Sequence, residues 1–144
     1  MKRLLALILT LAMTGAMALA AAPYSNAPAM PRVLANGRYV YVRAYDGDQF
    51  NPQLLPEDRQ AISSVQDALQ KWGHYTVVYR PSEADVILIV QSRPSEDVLA
   101  AYDARHPSEY LWRVMGENGL QKNETPLVNQ FEQAVNKAST GNAR

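Results

Sequence analysis

The sequence predicts a single α+β domain: a mostly antiparallel sheet of about five strands with two helices on one face. Three observations predict it. Two stretches repeat apolar residues every three or four positions, as amphipathic helices do. Four runs alternate with period two or are rich in β-formers, and a fifth, Val86 to Val90, is wholly apolar. Read in order, these give β-α-β-β-β-β-α over residues 33–138.

The first strand is Arg38 to Tyr45, with Val40, Val42 and Ala44 on one face and Tyr39, Tyr41, Arg43 and Tyr45 on the other. Asp46-Gly47-Asp48 is a turn signal. The first helix starts at Pro56, which suits the first helical position, and Glu57 and Asp58 favour the positive end of its dipole. Ile62, Val65, Leu69 and Trp72 form its apolar stripe, and Gly73 is suited to a left-handed cap.

Tyr75 to Arg80 is the second strand, with Tyr75 and Tyr79 on one side. Val86 to Val90 is apolar on both faces and belongs at the sheet centre. Asp97 to Arg105 reads either as a strand or as a short helix capped at Ser95. The strand is preferred, because a turn at His106-Pro107-Ser108 leads into a second alternating run, Tyr110 to Met115. Thr125 and Pro126 open the last helix, whose apolar face runs from Leu127 to Ala138.

Residues 1–22 have the pattern of a signal peptide. Lys2 and Arg3 precede an uncharged apolar run from Leu4 to Met17, and alanines at small-x-small spacing follow. The run is short for a membrane span of about 20 residues. Residues 23–32 hold Pro23, Pro28 and Pro31 among small residues and read as a flexible leader; residues 139–144 read as a disordered tail. The expectation is an exported protein, periplasmic or secreted, without a stable membrane anchor after cleavage.

Loss of Lys2 and Arg3 leaves 12 basic against 14 acidic residues, a net charge of −2. Such a balance gives no broad attraction to nucleic acid or anionic lipid. The 144-residue chain contains no cysteine, which excludes disulfides and a lipid-modified amino terminus.

Three groups of residues carry the resemblance to a known family. They are Trp72-Gly73 closing a helix, Ala84-Asp85 leading into Val86–Val90, and Tyr102-Asp103-Ala104-Arg105 followed by Tyr110-Leu111-Trp112-Arg113. The chain resembles small exported bacterial α/β domains of unknown function. More loosely, it is similar to the amino-terminal domain of TolB and to CsgG-like envelope proteins. The resemblance spans roughly residues 38–138 and implies a fold and an envelope setting, with no catalytic residues to transfer. The chain departs from many such proteins in having no lipoprotein cysteine.

The chemistry-bearing residues are few. His74 and His106 are the only histidines, too few for a zinc site without cysteine, and no metal or cofactor is expected. Asp46 to Asn51 superficially matches a calcium loop, but Phe50 and Asn51 stand where an oxygen ligand and a glycine are needed. Asp85, Glu96, Asp97, Asp103 and Glu109 could supply paired carboxylates to a hydrolase. No serine-nucleophile or phosphate-loop motif is present. Asn123-Glu124-Thr125 matches a glycosylation sequon, read as coincidence in a bacterial-type chain.

Tyrosine is the distinctive residue: eight are present, seven of them within the domain. Tyr39, Tyr41, Arg43, Tyr45, Tyr75 and Tyr79 are the candidate binding residues. The expectation is a non-enzymatic binding or assembly module of the cell envelope, using a Tyr/Arg-lined sheet face to meet an envelope protein or a glycan. The alternatives are a small hydrolase using Asp/Glu residues and a structural homo-oligomerising domain.

Overall fold

A computed structural model describes residues 27–141. The proposed signal peptide and the first residues of the leader lie outside the described residues. The element order is α1 (Arg32–Ala35), β1 (Tyr39–Ala44), α2 (Pro56–Trp72), β2 (Thr76–Val78), a 3₁₀ turn (Pro81–Glu83), β3 (Val86–Ser92), β4 (Asp97–Asp103), β5 (Trp112–Gly116) and α3 (Pro126–Thr140).

The sheet has five strands in the order β2-β1-β3-β4-β5. It is mixed: β1 pairs in parallel with both β2 and β3, while β3–β4 and β4–β5 are antiparallel. The sequence points to the β1–β2 pairing through the crossover helix α2. The parallel β1–β3 pairing comes from the shortness of β2. Val78 ends opposite Tyr41 and Val86 begins opposite Val40. The chain therefore needs only the 3₁₀ turn to step back past β1 and run in the same direction again.

One side of the sheet holds the core. Val40 and Val42 of β1, Leu88 and Val90 of β3, Leu99 and Ala101 of β4, and Trp112 of β5 are all buried there. Ile62, Val65 and Leu69 of α2 and Leu127, Phe131 and Val135 of α3 cover them, as the two apolar stripes predict. Gly73 takes a left-handed φ of 77° and its N–H bonds the carbonyl of Leu69, closing α2. Thr125 makes no side-chain cap bond at α3; Pro126, at the first turn, fixes the start instead.

A third helix, α1, joins α2 and α3 on the same side, and the sequence did not announce it. Leu34 is fully buried, and its carbonyl accepts the Tyr75 hydroxyl at 2.7 Å. Residues 27–32, which composition assigns to a flexible leader, are packed on the domain. Met30 is in the core, and the Trp112 Nε1–H donates to the Pro28 carbonyl at 2.9 Å. The prolines that depress helix and strand propensity here do not prevent docking, because the anchoring groups come from distant strands. Similarly, α3 runs to Thr140, two residues into the expected tail.

Candidate binding face

Among the described residues all three helices lie on one side, and none covers the reverse of the sheet. Register decides which side chains it presents. Tyr39, Tyr41 and Arg43 of β1 face this way by alternation. Thr76 and Val78 oppose Tyr39 and Tyr41, so Val77 turns to the helix side, and Tyr75 is buried there with it.

Tyr75 is therefore a correction to the candidate set. It is 3% exposed, within a cluster of Trp72, His74 and Phe131. Burial pushes its phenol well above the ordinary tyrosine range. Tyr79 is exposed but follows the end of β2, outside the register that pairs β2 with β1. Tyr41 does share that face, yet it is only 5% exposed. Its hydroxyl donates to Asp48 Oδ2 at 3.2 Å, and burial, with Asp48 beside it, raises its pKa.

Tyr39 and Tyr45 are exposed as expected. Arg43 donates to the carbonyls of Ala44 and Tyr45, which steadies the chain leaving β1. Tyr45 then lines an open depression of about 300 Å³ together with Tyr102, Tyr110 and Arg113. Ile89, Val98 and Ala100 also line it. Tyr102 and Tyr110 meet edge-to-face at 6.4 Å, and the Arg113 guanidinium lies 6.0 Å from the Tyr110 ring centre. Burial, with Tyr45 and Tyr110 close by, raises the pKa of Tyr102 against the opposing pull of Arg113.

Tyr102, Tyr110 and Arg113 were not in the sequence-derived set. The antiparallel registers bring them beside Tyr45: Arg43, Ile89, Ala100 and Arg113 form one row across four strands. The alternation of Tyr102 with Ala100 and Val98 is visible in the sequence. Its face is assigned only once β4 is paired with β3.

Several of the other chemistry-bearing residues have structural uses. Asp85 accepts the N–H groups of Arg38 and Tyr39, and Asp97 accepts Leu120 N–H and the Ser92 hydroxyl. In the loop from Asp46 to Asn51, Asp48 Oδ1 accepts Phe50 N–H. The Arg59 guanidinium donates to the carbonyls of Gln49 and Asn51 and so ties this loop to α2. His74 stacks on Trp72 and its Nε2 contacts the Ala35 carbonyl. Among the described residues, no three His, Asp or Glu side chains are placed to share a metal ion. No helix among them is long and apolar enough to cross a membrane.

Asp103 couples the end of β4 to pH. The Arg105 backbone N–H, at 3.0 Å, holds its carboxyl below the ordinary carboxylate range, with His106 and the Arg105 guanidinium assisting. A depressed pKa gives stability that is present above the unfolded value and lost as pH falls through the folded one. The Tm gap between wild type and Asp103→Asn should therefore be widest at neutral pH. It should close as the pH is lowered below about 4. A gap that widens in acid would contradict this linkage.

No family model matches the chain, and no curated protein matches it. Among solved structures the chain is similar to the dodecamer of a point variant of PelC from Paraburkholderia phytofirmans. The likeness is at 15% identity and a TM-score of 0.39, over 64% of this chain and 76% of that chain.

Proposed function

We propose that this chain is a non-enzymatic recognition module of the cell envelope that binds a partner through the helix-free face of its sheet. One observation carries the reading: the helices stack on one side and leave Tyr45, Tyr102, Tyr110 and Arg113 around an apolar floor on the other. Tyrosine and arginine dominate binding hot spots, because rigid rings and a planar cation bury area at little entropic cost. The envelope setting is supported by the basic, apolar and small-residue pattern of residues 2–22.

The test is quantitative capture from envelope extract with wild type and with the double variant Tyr45→Ala/Tyr110→Ala. Both rings are exposed, at 68% and 51%, so the fold should survive their loss. The variant is expected to retain its circular dichroism spectrum and lose the specific partner. Identical partners at identical yield would refute the proposal.

A further inference from the structure

The row that crosses the face has a charge pattern that defines its partner. Arg43 stands on β1 and Arg113 on the edge strand β5, with Ile89 and Ala100 between them. Strand spacing of about 4.8 Å puts the two arginine backbones about 14 Å apart. Among the described residues, neither guanidinium has a carboxylate within ion-pair distance. Arg43 is bonded to backbone carbonyls, and Arg113 rests over a ring and beside the Met115 sulfur.

The strand positions of this face contain tyrosine, arginine, methionine, small neutral polar and aliphatic residues, with no lysine and no carboxylate. That is the composition of protein interfaces, which are enriched in Tyr, Met and Arg and depleted in Lys, Asp and Glu. Asp48, at the rim, is already engaged by the Tyr41 hydroxyl and Phe50 N–H. A second copy docked face to face would bring two further arginines and no strand carboxylate to meet them. Charge complementarity points to an acidic partner.

We infer that this face binds an extended acidic protein segment, with two carboxylates about four residues apart and an aromatic or aliphatic side chain between them. In an extended chain, positions i, i+2 and i+4 point to one side, and four residues span about 13 Å. The carboxylates then reach Arg43 and Arg113 as planar two-point pairs, and the central side chain enters the depression between Tyr45, Tyr102 and Tyr110. This rests on the reading of the face as a binding surface.

The probe is a fluorescein-labelled pentapeptide, Glu-Ser-Phe-Ser-Glu, titrated against the full chain by anisotropy. Its counterpart with lysine for glutamate and unlabelled tetragalacturonate are the comparison arms. The acidic peptide is expected to bind with a Kd below about 1 mM. It should weaken at least ~10-fold in Arg43→Gln/Arg113→Gln, and also in Arg113→Gln alone should the double variant fold poorly. It should weaken in Tyr45→Ala/Tyr110→Ala as well. Absent binding, equal binding of the lysine peptide, displacement by tetragalacturonate, or indifference to the tyrosine variant would each overturn the inference. Partner capture from extract does not depend on the peptide, and its failure separately removes the underlying binding reading.

Discussion

Replacing Trp112 with alanine should cost about 3–5 kcal/mol, as for other large-to-small changes at buried aromatic sites. Against a total stability of about 5–15 kcal/mol, that is the difference between a folded and a marginal protein. Trp112 is 1% exposed, lies edge-to-face with Phe131 at 5.4 Å, and ties residue 28 to β5 through its indole N–H. One side chain thus joins sheet, α3 and the amino-terminal segment. Trp112→Phe keeps most of the buried ring but leaves the Pro28 carbonyl without its donor, so it should cost less. In urea titrations the alanine variant should lose roughly 2 M in midpoint, given slopes of about 1–3 kcal/mol/M. A shift under about 0.5 M would show that the site collapses around the gap.

Asp58→Ala should lose about 2–4 kcal/mol, as for a buried carboxylate whose partners are left unpaired. Asp58 is fully buried in the first turn of α2, where it accepts Ser92 N–H at 2.8 Å and the Arg93 guanidinium at 2.9 Å. Removing it strands a part-buried N–H and takes from Arg93 its nearer carboxylate, leaving the longer pair with Asp46 at 3.5 Å. The loss should fall short of that for a fully enclosed pair, because Arg93 is 31% exposed and can turn to water. Arg93→Ala should cost less than Asp58→Ala, since the carboxylate keeps Ser92 and the helix end. Urea melts of both single variants and of the double variant give the coupling energy. A coupling near zero would mean that Asp58 acts through Ser92 alone.

Much of this architecture was legible in the chain. The stripes at Ile62–Trp72 and Leu127–Val135, and the alternation from Tyr39 to Ala44, are local signals that tertiary packing then uses directly. The parts that were not legible depend on long-range partners. The one-turn helix α1 and the chain before it are fastened by Tyr75 and Trp112, the latter 84 residues away from Pro28. The candidate face was half legible: Tyr39, Arg43 and Tyr45 follow from alternation in one strand. Tyr75 was misplaced because a three-residue strand leaves its parity to the register with β1. Tyr102 and Arg113 join the face only through two antiparallel registers, which no spacing in the sequence states, and Tyr110 follows them by its contact with Tyr102.

The stub-like β2 has a consequence for assembly. A rim of only three residues offers an incoming chain a few amide and carbonyl groups at most, too few to seed lengthening of the sheet. Concentrating the protein should therefore not draw out fibrils from that border.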